Sequence, residues 1–266
     1  MPESVAECRV LSQQAIISMD NGRWLEAEDL LSRAVESCPS DPDARRQYGE
    51  VLLQRGAANE ALVQLEDAIR LTPRDTALVV RTGGVYLSAG RYVEARQRAN
   101  EAIGLDVESA DAWGLRGRIE LAEGNRRQAL ADFHRAIGYR PDDPTLLNDV
   151  ARLYMQMQQP ERALLYLQYL TDTYDVVGEE SLELVLLQGR ALAELGRYHD
   201  AVDYYQMACH RQPDSAERFY QLAKISLRAG RPHKARAAVH HALKLDPGHA
   251  SARSFVAELP EGKALR

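Results

Sequence analysis

ADAWGLRGRIELAEGNRRQALADFHRAIGYRPDD, residues Ala110–Asp143, reads as a helix, a tight turn and a second helix. Gly124 sits where the first helix must end, because glycine enters the left-handed conformation without a Cβ penalty. Pro141 cannot continue a helix interior and so closes the unit. Gly117, Ala129 and Ala136 are small enough for the two helices to approach closely, while Trp113 and Phe133 fill the space between them. Neither helix buries its apolar stripe alone, so a unit of this kind has to stack on copies of itself.

The copies are present. Segments beginning at Cys8, Pro42, Thr76, Ala110 and Pro144 follow one another at intervals of 34 residues. Four inserted residues precede the next, at Leu182, and the interval of 34 resumes at Ala216 and Ala250. Counted from each start, position 20 is always alanine (Ala27, Ala61, Ala95, Ala129, Ala163, Ala201, Ala235), and position 27 is alanine except for Leu170. Position 8 is always small, and position 15 is glycine in every repeat but the fifth, where Gln158 stands instead. Large residues recur at positions 4, 7, 11, 17 and 24, including Trp24, Tyr92 and Tyr205, and are expected to fill the core.

This reiterated pattern resembles the tetratricopeptide repeat (TPR) family over residues 8–249, with Trp113, Gly117, Ala129, Phe133, Ala136 and Pro141 in family positions. Arg116 and Glu120 depart from the leucine and tyrosine usual at positions 7 and 11. The resemblance implies an all-α fold, a right-handed superhelical solenoid of antiparallel helix pairs. It is expected to be continuous: repeats one to five over 8–181 with an irregular fifth, repeats six and seven over 182–249, and a polar capping helix over 250–259.

Composition agrees with helices, since Ala, Leu, Arg and Glu recur and only 6% of residues are aromatic. The net charge of −6 argues against a chain-wide surface for polyanions. Residues 216–253 carry eight Lys/Arg against two acids, but 142–215 carry five against thirteen, and no stacking aromatic pattern accompanies the basic end. Nucleic-acid binding is therefore not expected. The three cysteines, Cys8, Cys38 and Cys209, lie far apart and form no CxxC or Cys/His spacing, so no disulfide framework or zinc site is expected. His233, His240, His241 and His249 crowd the last full repeat without a completing thiol or carboxylate, and are read as polar surface groups with no metal. No apolar run reaches the ~20 residues a bilayer crossing needs, and no secretory signal opens the chain, so membrane contact is not expected and the location expected is cytoplasmic.

Repeats and cap leave only 1–7 and 260–266 outside them, and GxxxxGK[ST], GxSxG, HExxH and GxGxxG are absent. No enzyme activity and no cofactor is expected. What the resemblance implies is a protein-interaction scaffold or adaptor that receives a protein or peptide segment in the concave groove lined by the first helix of each repeat, chiefly positions 2, 5, 9, 12 and 13. Position 9 reads Arg118, Arg152, Arg190 and Lys224 in the last four repeats. A row of cations suits carboxylates, since each guanidinium donates two parallel hydrogen bonds, and Asn148 and Gln156 could add amide contacts. The competing reading is internal, with Asp149, Glu183, Glu194 and Glu217 neutralising these cations. The carboxylate clamp of chaperone cofactors in that family is not supplied: Arg46 at position 5 is followed by Glu50 at position 9, which inverts the required charge.

The fifth repeat is tyrosine-rich. Tyr154 holds a core position, and Tyr166 and Tyr204 share position 23, where they offer aromatic binding surface or cover an altered packing seam. Curvature is expected to change near 171–181. Two alternatives stand beside the scaffold: a self-associating structural subunit, with the acidic 142–215 surface of one copy meeting the basic 216–253 end of another, and a regulatory TPR portion of a larger enzyme or assembly.

Overall fold

The structure is a computed structural model describing residues 3–174 and 182–259. Its described residues form fifteen α-helices and no strand. The chain divides into two compact units, Met1–Pro141 and Asp142–Arg266. The insertion before Leu182, with the expected change of curvature, falls on 175–181, outside the described residues.

The first unit contains α1 (Glu3–Asp20), α2 (Trp24–Ser37), α3 (Pro42–Gln54), α4 (Ala58–Leu71), α5 (Thr76–Ser88), α6 (Tyr92–Leu105), α7 (Ala110–Ala122) and α8 (Arg126–Tyr139). Each odd-numbered helix packs on the even one that follows, and α2, α4 and α6 each pack on the next odd one. The second unit repeats this plan with α9 (Pro144–Gln156), α10 (Pro160–Tyr174), α11 (Leu182–Glu194), α12 (Tyr198–Arg211), α13 (Ala216–Arg228) and α14 (Pro232–Leu245), and closes on α15 (Ala250–Glu258) against α14.

Local chemistry sets both ends of these helices. Asp41, Asp75, Ser109, Asp143 and Ser215 accept backbone N–H groups of the helix that follows each of them, so α3, α5, α7, α9 and α13 start on a side-chain cap. At the turn after α7, Gly124 N–H donates to Leu121 C=O at 3.0 Å and Asn125 N–H to Glu120 C=O at 2.8 Å, with Gly124 at φ +85°. This double bond pattern satisfies the last carbonyls of the helix and reverses the chain within a few residues. Gln158 occupies the same conformation at φ +57°, so the fifth repeat makes the same turn without its glycine.

Close approach within each pair rests on the small residues. A Cβ on Gly117 would lie 2.7 Å from Phe133, and Ala129, Phe133 and Ala136 are fully buried beside it. In the second unit Val150, Ala151, Leu167, Val185, Ala201, Ala223, Ala235 and Val239 are likewise inaccessible. Burial of a Leu or Val side chain stabilises by about 1.5–3 kcal/mol, and here it is achieved only between helix pairs. Tyr92 corrects the core expectation for position 17. It begins α6 and remains 37% exposed, whereas Trp24 and Tyr198 at the same position are half-buried.

Candidate functional site

Arg152 and Gln156 lie one turn apart on α9, and Arg190 lies on α11, which packs beside it in the second unit. Together with Glu183 they line a cleft of about 340 Å³ whose floor is Met155, Leu186 and Leu187. Arg152 pairs with Glu183 across the cleft, and Arg190 Nε donates to Glu194 Oε1 at 3.1 Å along its own helix. Both arginine side chains stay wet, at 46% and 59% exposed. Exposed ion pairs stabilise by about 0–1 kcal/mol, and a guanidinium has five N–H donors. The present partners of both cations are therefore weakly held. Glu183 and Glu194, two of the acids considered as internal partners, occupy that role. Glu217 does not: it bonds His249 Nε2 at 3.0 Å and accepts from Gln221.

The other sequence candidates are dispersed. Arg118 is half-buried on α7 of the first unit. Lys224, on α13, places its ammonium 5.4 Å from the Tyr220 ring centroid and does not line the α9–α11 cleft. Asn148, one turn before Arg152, is half-buried, and its Oδ1 has no hydrogen-bond partner among the described residues. Tyr166 stacks on Tyr154 with centroids 5.7 Å apart, inside its own helix pair, and Tyr204 is half-buried against the backbone of Gly189.

Two further clefts escaped the sequence reading, and they occupy the same register. Between α6 and α8 lies a charged cleft of about 340 Å³. Arg116 bridges there to Asp132 and Asn100, and Arg96 holds Glu120 and Glu123. The two departures at positions 7 and 11 are thus halves of ion pairs. Between α12 and α14 the corresponding space, about 470 Å³, is apolar, with Ser226 and Leu222 at its base. His249, read as a surface histidine, caps α15: its Nδ1 accepts from Ala252 N–H at 3.2 Å. A polar residue immediately before a helix start was the available signal.

No helix among the described residues is long and apolar enough to cross a membrane. Two family models, each described as tetratricopeptide repeat, match the chain, one over 13–76 and 148–216, the other over 52–119, 120–175 and 192–259. Among curated proteins, the TPR repeat-containing protein YpiA of Bacillus subtilis (strain 168) is 23% identical over 226 residues, covering 85% of this chain and 52% of YpiA. The human mitochondrial import receptor subunit TOM70 is 22% identical over 234 residues, 80% of this chain and 38% of that protein. The chain spans 52–60% of the length of the first curated relatives it matches. Among solved structures, YrrB, a TPR protein with an unusual peptide-binding site, superposes at a TM-score of 0.63 with 20% identity, over 73% of this chain and 97% of YrrB. PilW, a type IV pilus biogenesis factor, superposes at 0.69 with 18% identity, over 77% and 94%. With repeat models matching both units and helix pairs stacked as that pattern requires, the chain belongs to the tetratricopeptide repeat family.

Proposed function

We propose that this chain is a protein-interaction scaffold that holds a protein or peptide segment bearing carboxylates, and that the α9–α11 cleft of the second unit is a principal contact. Proteins of this repeat family mediate protein–protein interactions, and YrrB is described by its peptide-binding site. The observation that carries the reading is the pair of wet arginines, Arg152 and Arg190, flanking a recess with an apolar floor and the Gln156 amide at its edge. Paired guanidinium groups select carboxylates by geometry as well as charge. The apolar floor adds contact area for the neighbouring side chain of the same segment.

The test is fluorescence anisotropy with a labelled glutamate-rich peptide and its glutamine counterpart. The acidic peptide binds the wild-type chain more tightly, and Arg152→Glu with Arg190→Glu weakens it about tenfold or more, since a hydrogen bond to a charged group contributes about 1.5–3 kcal/mol. Equal affinity for the two peptides, or no loss on charge reversal, overturns the reading.

A further inference from the structure

Repeat register ties together three places in this chain. In the third repeat, position 11 is Tyr86, which is buried and whose hydroxyl donates to Glu66 Oε1 at 2.9 Å. Glu66 stands at position 25 of the preceding repeat, and Arg98, at position 23, donates to the same carboxylate. In the fifth repeat the ring of Tyr154, again position 11, stacks on Tyr166 at position 23. In the fourth, Glu120 and Asp132 hold positions 11 and 23 and line the space with ion pairs, leaving it charged.

The seventh repeat leaves that space open. Position 11 is Ser226, position 23 is Ala238, and position 25 of the preceding helix is Gln206. All three line the α12–α14 cavity of about 470 Å³, large enough for a small ligand. Phe219 and Leu222 supply apolar walls, and His241 lies over Phe219 with centroids 4.1 Å apart. Burial pushes the Cys209 thiol up to about 11, so it brings no charge to the interior at neutral pH. Ser226 is fully buried, and its Oγ has no hydrogen-bond partner among the described residues. A buried hydroxyl left in that state is unfavourable, and a ligand group that bonds it recovers the loss. At the mouth, Lys234 Nζ donates to Gln206 Oε1 at 3.4 Å.

We infer that the α12–α14 cavity is a binding site for a single phenol-type ring, which occupies the volume that Tyr86 fills in the third repeat and enters hydroxyl first to bond Ser226 Oγ. The apolar walls take the ring faces and the buried serine selects the hydroxyl. The register-equivalent α6–α8 cleft is lined by Arg116, Glu120 and Asp132 and does not offer an apolar ring site. A phenol ring arrives either on a tyrosine side chain of a partner polypeptide or as a free small phenol, and both present the same chemistry.

The experiment uses the full chain with p-cresol, toluene and N-acetyl-tyrosinamide, followed through the alanine methyl resonances of Ala237 and Ala238. The expected result is saturable p-cresol binding at those methyls, about tenfold tighter than toluene, as one recovered hydrogen bond implies. Ser226→Ala then equalises p-cresol and toluene while retaining ring binding. Ser226→Tyr abolishes both by filling the cavity, and Ala238→Leu does the same from the opposite wall should the tyrosine variant fail to fold. Competition by N-acetyl-tyrosinamide assigns the ring to a polypeptide; p-cresol binding without that competition assigns it to a free small phenol. No saturable shift with p-cresol, equal affinity for toluene in the wild type, or undiminished binding by the filled variants overturns the inference.

Discussion

Arg116 and Asp132 grip each other at two points across the fourth helix pair, Nε to Oδ2 at 2.8 Å and Nη2 to Oδ1 at 2.7 Å. Asp132 is nearly buried, with 8% of its side chain exposed, and the guanidinium also lies 4.4 Å from the Trp113 ring centroid. Removing one member of such a pair leaves a desolvated charge, which costs more than the pair contributes when intact. Arg116→Leu, although it restores the family's usual residue, is therefore expected to lower stability by about 2–3 kcal/mol. Adding Asp132→Ala should recover most of that loss. Urea unfolding of the two variants checks this, and a single variant as stable as wild type would contradict it.

Glu120 gives the same hairpin a pH dependence. Burial alone would raise its pKa, but hydrogen bonds from Arg96 and Asn125 and the charges of Arg96 and Arg116 outweigh it and hold the carboxyl below its ordinary value of 4.5. A group depressed on folding contributes stability that is complete above its unfolded pKa and is lost as pH falls through the folded one. The wild-type urea midpoint should therefore decline on acidification below about pH 4.5. In Glu120→Gln that decline should be shallower, from a lower starting stability at pH 7.

The helix pairs were legible because their determinants are local and reiterated. Gly117, Ala129 and Ala136 mark close approach, and Gly124 marks the turn, each at a fixed place in the repeat. Ion-pair partners were less legible. Arg116 reaches Asp132 sixteen residues on, and Arg96 reaches Glu120 in the next repeat, so each looked like a departure until both helices were in place. The α12–α14 cavity was invisible for a related reason. Ser226 and Ala238 are individually unremarkable small residues, and only their facing placement creates the space. Of the position-9 cations, Arg152 and Arg190 share one cleft because α9 and α11 pack together, while Lys224 belongs to a helix outside it.

Gly117 and Gln158 give opposite expectations for glycine exchange. An alanine at 117 would drive its Cβ to 2.7 Å from a ring carbon of Phe133, which is fully buried and has no room to withdraw. Gly117→Ala should destabilise by about 1–3 kcal/mol, with partial recovery in the double variant with Phe133→Leu. Gln158, by contrast, already carries a side chain at φ +57°. Left-handed backbone costs a non-glycine residue about 1–2 kcal/mol, offset in part by glycine's greater freedom when unfolded. Gln158→Gly should therefore raise stability by about 0.5–1 kcal/mol. Thermal unfolding of both single variants is the check, and a destabilised Gln158→Gly would show that its side chain contributes more than its backbone costs.

His249 ties the last helix to the body of the second unit through both ring nitrogens. Nδ1 accepts from Ala252 N–H at 3.2 Å, so Nε2 carries the proton and donates to Glu217 at 3.0 Å. Loss of a side-chain cap destabilises a helix by about 1 kcal/mol. α15 has only nine residues and buries little beyond Ala252 and Phe255, so that loss is concentrated on a marginal element. In His249→Ala, amide exchange should accelerate at Ala252 and along α15, and global stability should fall by about 1 kcal/mol. His249→Asn keeps a capping oxygen and should restore protection at Ala252 while leaving the Glu217 contact unmade. If the asparagine variant exchanges as fast as the alanine one, α15 is held by the imidazole bridge to Glu217 and not by its cap.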